Sequence, residues 1–276
     1  MTKLSQIFPI YDISSKGVII SDNKASLTAC FELTMPIIFT MGESQFEDMV
    51  ERFRNFIELL GEEVIVHKQD MFHREVFSYH PEEFGKEHDA DFIETSYLLH
   101  FNERNYLNCR TYLYITKLNT GSLKSFMSKD FAKSDDSVFV SSILGASEVL
   151  KDYIEFRHID KTELLSAKSP VSRYMNFSSA DLEEYKDIDF SNNSVFVGST
   201  RVQIYSVDDL NQYPTDNIGY HSHYQGLPVS NLFSFSYPFD CPHVVNSYIY
   251  IPNQKGLKKK KKKRIGDLKG FNVKGS

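Results

Sequence analysis

The chain has 276 residues, of which 41% are hydrophobic and 25% charged, with 22 Phe, 16 Tyr and no Trp. So much large apolar surface excludes a disordered chain and allows one large domain or two small ones. The net charge of −6 conceals a division: residues 255–276 hold ten of the 31 basic side chains and one of the 37 acidic ones, which leaves 21 against 36, or −15, in the first 254. An acidic body excludes general binding to nucleic-acid phosphates, which depends on Lys and Arg releasing counterions.

In chain order, residues 17–21 and 26–34 flank a polar Ser-Asp-Asn-Lys stretch and read as a β-hairpin. In its second strand Leu27, Ala29, Phe31 and Leu33 alternate with polar neighbours. Phe46, Met49, Val50, Phe53, Phe56, Ile57 and Leu60 then recur at helical spacing and predict a helix over 44–60. Ser44 with Glu47 has the spacing of a capping box, and Gly61 stands where a helix stops. Residues 63–67 read as a strand returning beside the hairpin, 74–91 as a polar loop, 92–101 as a short helix and 108–118 as a strand. Residues 119–137 are rich in Ser, Lys and Asp and read as mobile.

Phe139, Val140, Ile143, Leu144, Leu150 and Ile154 predict a second amphipathic helix, and a shorter one from Asp160 stops before Pro170. Residues 194–198 and 201–207 read as a second hairpin and 248–251 as the last strand. These elements predict an α+β fold, a mixed and largely antiparallel sheet packed with amphipathic helices. They form one domain over 1–254, with a division into two subdomains falling near 119–137. The basic tail, 255–276, reads as a disordered extension or the start of a linker.

Cys30, Cys109 and Cys241 are odd in number and far apart, so neither a zinc knuckle nor a disulfide framework is indicated, and a reducing cytoplasmic setting is expected. No signal peptide or membrane span is expected, because every apolar run is short. No GxxxxGK[ST] and no GxGxxG occurs in the 276 residues, so no loop of the known kind would cradle nucleotide phosphates.

His221-Ser-His223 could set two imidazoles on one side of a strand, with His243 or Asp240 as a third ligand; the alternative is a polar loop between Gly219 and Gly226. His67 and His73 flank Asp70 at a spacing without metal-site meaning, beside a cationic Lys68, and read as a strand end packing into the fold. His80, Glu82, Glu83 and His88 read as a solvated loop, and Glu62-Glu63 and Asp135-Asp136 as element ends. No GxSxG elbow is present. Lys258 to Lys263 with Arg264 form a run that reads first as a solvated linker, the alternative being weak contact with an anionic surface such as DNA or lipid.

Several segments in one order carry a family resemblance. Phe8-Pro-Ile-Tyr11 comes first, then Phe31-Glu-Leu-Thr-Met-Pro-Ile-Ile-Phe-Thr40, Val66-His-Lys-Gln-Asp-Met-Phe72 and His100-Phe-Asn-Glu-Arg-Asn-Tyr106. Phe233-Ser-Phe-Ser-Tyr-Pro-Phe239 and Asn246-Ser-Tyr-Ile-Tyr-Ile251 follow. Over roughly residues 5–255 the chain resembles the N-terminal region of TraG-type conjugation ATPases of Bacteroides-like conjugative elements, relatives of the hexameric type IV secretion ATPase.

The resemblance implies a part in conjugative DNA transfer, peripheral at the cytoplasmic side of the inner membrane. Its implied partners are the inner-membrane channel proteins of the secretion system and the ATPase domain of the full-length protein. The RecA-like domain that carries the Walker motifs in that family has no counterpart in the 276 residues. The resemblance therefore implies no catalytic residue, no cofactor and no specific nucleic acid for this chain. The alternative from another class is a small metal-dependent enzyme using His221 and His223.

Overall fold

The structure is a computed structural model that describes residues 10–21, 26–36, 41–79, 92–119, 131–176, 187–191, 194–206, 223–224, 227–228, 240–254 and 256–258. Helices and antiparallel strands alternate along the chain, an α+β fold. The chain divides into two compact units, one of Met1–Gln69, Thr111–Leu165 and Asn246–Ser276, the other of Asp70–Arg110 and Ser166–Val245. The division thus falls at 69/70, 110/111, 165/166 and 245/246, and 119–137 belongs to the first unit.

In the first unit the hairpin forms as expected. β2 (Ile19–Ser21) and β3 (Leu27–Thr34) pair antiparallel, with Ile20 opposite Leu27. A further strand, β1 (Ile10–Ile13), precedes them and pairs with β2. Gly17 makes the β1–β2 turn possible: its φ is +78°, its N–H donates to Ser14 O at 3.0 Å, and a Cβ there would lie 2.6 Å from Ile159 O. Any larger residue would meet backbone that cannot move aside.

The first helix, α1, spans Glu43–Leu59 and ends where Gly61 adopts φ +78°. Its start corrects the expected capping box. The backbone leaves the extended conformation at Gly42, so Gly42 is the N-cap, and Gln45 Oε1 accepts its N–H at 3.0 Å. Ser44 and Glu47 already lie inside the helix. Phe46, Met49, Phe53 and Phe56 are buried, whereas Val50 is 39% exposed. At about 100° per residue the buried four share one side of the stripe, and Val50 falls on its outer margin.

The Phe56 ring lies 5.3 Å from Phe156, which meets Phe31 of β3 edge-on at 6.1 Å. Phe156 belongs to β6 (Glu155–His158), an unexpected strand that pairs with β3. The second long helix of this unit, α3, spans Phe131–Ser147 and runs into a 3-10 turn at Glu148–Leu150. It buries Val140, Ile143 and Ala146, with Leu150 following. The helix does not reach Ile154 as expected, because the chain has already turned toward β6. α4 (Lys161–Leu164) starts on Asp160, whose Oδ1 accepts the Glu163 N–H at 2.8 Å.

The main sheet has the order β1-β2-β3-β5-β4-β12, with β6 also on β3. Here β4 is Val64–Val76, β5 is Asn105–Lys117 and β12 is His243–Ile251. The strand expected at 63–67 is therefore much longer, and it stands beside β5 rather than beside the hairpin. Register sets the two sides of the sheet. Phe31 and Leu113 face one way with the α1 side chains, and the paired Cys30 and Tyr114 face the other.

The second unit holds 70–76 of β4 and 105–110 of β5, with α2 (Phe92–Phe101) between them in sequence, as expected. Of the expected loop 74–91, residues 74–76 belong to β4 and 80–91 lie outside the described residues. α5 (Pro170–Met175) begins on the proline expected to end a helix, since Pro at the first position forfeits no hydrogen bond and Ser169 Oγ accepts the Ser172 N–H at 3.1 Å. β7 (Ile188–Ser191), β8 (Ser194–Val197) and β9 (Thr200–Val202) form a meander that contains the second hairpin. β10 (His223–Tyr224) and β11 (Leu227–Pro228) form a short pair. The last strand begins at His243, five residues before the expected Tyr248. Among the described residues no helix is long and apolar enough to cross a membrane.

Candidate functional site

A connected cluster of rings and amides in the first unit lies on the side of the sheet that carries Cys30 and Tyr114. Strand alternation brings His67 and Gln69 of β4, Asn246 and Tyr248 of β12, Tyr114 of β5 and Cys30 of β3 to this side. His67 stacks on Tyr248 at 4.2 Å and on Tyr114 at 5.0 Å, so three rings stand in a row across three strands. Asn246 Oδ1 accepts from His67 Nε2 at 2.9 Å and from Gln69 Nε2 at 3.0 Å, while Tyr114 OH donates to Gln69 Oε1 at 3.2 Å.

Burial governs the titration of this cluster. It lowers the His67 pKa, against a smaller opposing effect of the Asn246 hydrogen bond. It raises the pKa of the Cys30 thiol and of the Tyr114 hydroxyl, which stand opposite each other on paired strands. A thiol held protonated is a poor nucleophile, and a neutral imidazole committed to an amide is a poor base. Rings and amides in this arrangement suit recognition through stacking and hydrogen bonds. Tyr248 and Tyr250 expose 66% and 53% of their surface on the outermost strand.

In the second unit Glu75 collects four partners. A His73 ring N–H donates to its carboxylate at 2.6 Å, Tyr106 OH and Asn108 Nδ2 each at 2.9 Å, and Arg110 lies 3.6 Å away. Burial alone would raise the Glu75 pKa, but the donors from His73, Tyr106 and Asn108 overcome it and hold the carboxyl at about 2. The cluster ties β4 to β5, and its carboxylate is saturated. His73 therefore belongs to this group and His67 to the stacked rings, each in its own unit. Neither stands at a strand end as the sequence suggested, since β4 runs on to Val76.

The metal candidates do not come together in what is described. His221 lies outside the described residues and His223 sits on β10. His243 stacks on Phe72 at 4.4 Å and donates from Nδ1 to Cys241 O at 2.6 Å, and Asp240 is exposed. Among the described residues no three His, Cys, Asp or Glu side chains are placed to hold a metal ion. His80, Glu82, Glu83 and His88 fall outside the described residues. Glu63 is structural: at φ +59° it accepts the Asn253 N–H at 3.0 Å. Lys258 is exposed, and Lys259 to Arg264 lie outside the described residues.

The segments behind the family resemblance have clear local roles. Residues 66–72 run along β4, where Lys68, Gln69 and Asp70 are buried. Residues 100–106 turn α2 into β5. There Arg104 N–H donates to Phe101 O at 3.1 Å, Glu103 adopts φ +63°, and Asn102 Oδ1 accepts the Tyr79 N–H at 3.0 Å. Glu103 N–H also donates to Phe77 O at 2.9 Å, and Arg104 O accepts the Phe77 N–H at 2.9 Å. Residues 233–239 lie outside the described residues. No family model matches the chain, and no curated protein matches it.

Proposed function

We propose that the chain is a non-catalytic assembly region of a conjugative-transfer ATPase of the TraG type. In this reading it docks the motor onto inner-membrane channel proteins of a type IV secretion system. The observation that carries the reading is the role of the two most specific family-like segments. The 66–72 segment builds an inner strand, next to the edge strand β12, and the 100–106 segment builds the turn that feeds its neighbour. Residues with such roles maintain a framework, as expected of a docking module whose chemistry resides in another domain. The absence of a phosphate-cradling loop from the 276 residues supports the same assignment.

The test is reconstitution. The purified chain is mixed with detergent-solubilised inner-membrane channel proteins of the cognate secretion system, and with the RecA-like ATPase domain, at micromolar concentration. Co-elution with a channel component is the expected result. Failure to bind any of them, in a preparation that melts cooperatively, would overturn the proposal.

A further inference from the structure

Strand β12 ends the main sheet, and among the described residues no strand pairs beyond it. An edge strand invites another strand to add to it, and proteins usually blunt such edges with charges, proline or bulges. Within residues 246–251 the first two of these devices are absent. Between Asn246 and Ile251 the sequence is Asn-Ser-Tyr-Ile-Tyr-Ile, without a charge or a proline, in a body that carries −15 over its first 254 residues. The neutral, β-prone window is thus the part of an acidic surface that a second acidic copy can approach at least electrostatic cost.

The stacked rings narrow the occupant further. Tyr114, His67 and Tyr248 stand one per strand, at 5.0 Å and 4.2 Å, close to the 4.7–4.9 Å at which neighbouring strands repeat. A strand added outside β12 therefore places its own side chains at stacking distance from Tyr248. An antiparallel strand related by a two-fold axis at Tyr248 brings the second copy's Tyr248 opposite. It also sets Tyr250 across from Asn246 of that copy, with Ile249 across from Ser247 on the reverse side. The segment is thus complementary to itself, with aromatic and polar pairs and no like charges facing each other.

We propose that the chain forms a homodimer by antiparallel pairing of residues 246–250 with the same residues of a second copy, extending the ring row across the new interface. Five residues of edge pairing cover far less than the roughly 1,200 Å² of a standard interface, so the dimer is weak, with Kd on the order of 10–100 μM. The inference does not depend on the conjugative assignment.

Sedimentation velocity on the full 276-residue chain from about 5 to 200 μM tests it, with Tyr248→Lys and Tyr250→Lys as edge-blocking variants. Wild type is expected to dimerise, and each lysine to raise Kd at least about tenfold in a chain that still melts cooperatively. Raising salt from about 20 to 150 mM is expected to tighten the wild-type dimer, because it screens the repulsion of two acidic bodies. Hydrogen exchange on wild type provides a reading that needs no variant: amides in 246–250 should slow as concentration rises.

A monomer at 200 μM would overturn the proposal, as would a dimer indifferent to both lysines and protected elsewhere. Association that weakens with salt would assign the contact to the lysine run on the acidic body and equally overturn it. If the variants lose their fold, the concentration dependence of exchange at 246–250 decides.

Discussion

Replacing Phe56 by Ala removes a ring that has no exposed surface and lies 5.3 Å from Phe156 and 6.0 Å from Phe53. Phe to Ala changes in cores cost about 3–5 kcal/mol, the lost transfer energy plus the residual cavity. Of this, about 0.5–1.5 kcal/mol reflects ring geometry beyond area. Val50 lies on the same helix and belongs to the same apolar stripe by spacing, yet it is 39% exposed. Val50→Ala removes little buried surface, and alanine gains about 0.5 kcal/mol in helix propensity, so the expected net change is within about 0.5 kcal/mol of zero.

Urea denaturation followed by far-UV circular dichroism measures both, compared at equal m-value so that the difference reports stability. A domain holds only about 5–15 kcal/mol in total, so Phe56→Ala should shift the midpoint strongly or abolish the transition. A loss below about 1.5 kcal/mol for Phe56→Ala, or an equal loss for Val50→Ala, would show that the helix does not bury the side the structure assigns to it.

Glu75→Gln tests the second-unit cluster. The Glu75 carboxyl is held at about 2, below its ordinary 4.5, so it contributes stability that is complete above about 4.5 and disappears as pH falls toward 2. After allowance for its exposure the contribution is on the order of 1 kcal/mol, and the variant should flatten the acid limb of a stability-pH curve. His67 and His158 behave with the same direction for the opposite chemical reason. Burial lowers both pKa values, so the unfolded chain takes up protons first and stability falls as pH drops below about 6.5. His67→Gln should reduce that fall, and an unchanged slope would remove His67 from the buried cluster. Gly17→Ala should destabilise by more than 1 kcal/mol, seen as a lower melting temperature, since φ is +78° and Ile159 O leaves no room. Titration calorimetry with ATP should show no binding at micromolar concentration, and binding there would contradict the docking-module reading.

Periodicity made α1 legible almost to the residue, because a helix writes its pattern locally. Phe92–Phe101 fell within the expected bounds, and Gly61 marked the stop of α1. The errors arise where tertiary context decides. β4 was read as five residues and has thirteen. Residues 68–72 are buried in succession, so polar Lys68, Gln69 and Asp70 interrupt the apolar signal in the middle of the strand. β6 carries no signal of its own in the sequence, and the preceding helix reads too long, to Ile154, because Leu150 and Ile154 continue helical spacing across a turn that only packing reveals. Pro170 was read as a stop and proved to be a start, a choice that depends on whether Ser169 before it can cap.

The candidate sites were less legible, for a reason built into sheets. Alternation along one strand shows which residues share a side, but not which strand lies beside it. His67 and Gln69 alternate, as do Tyr112 and Tyr114, and Asn246, Tyr248 and Tyr250. Nothing local announces that the order β3-β5-β4-β12 sets these three series next to each other. The histidine spacing drew attention instead to His67 with His73, and these prove to serve different clusters. One stacks between tyrosines, and the other donates to a saturated carboxylate. Chemistry in this fold is thus organised across strands, between residues up to 181 positions apart in the His67 to Tyr248 pair. A motif search along the chain therefore finds framework segments, such as 66–72 and 100–106, before it finds a surface. The ring row belongs to that surface, and its exposed end at Tyr248 is where a partner's side chains would first be felt.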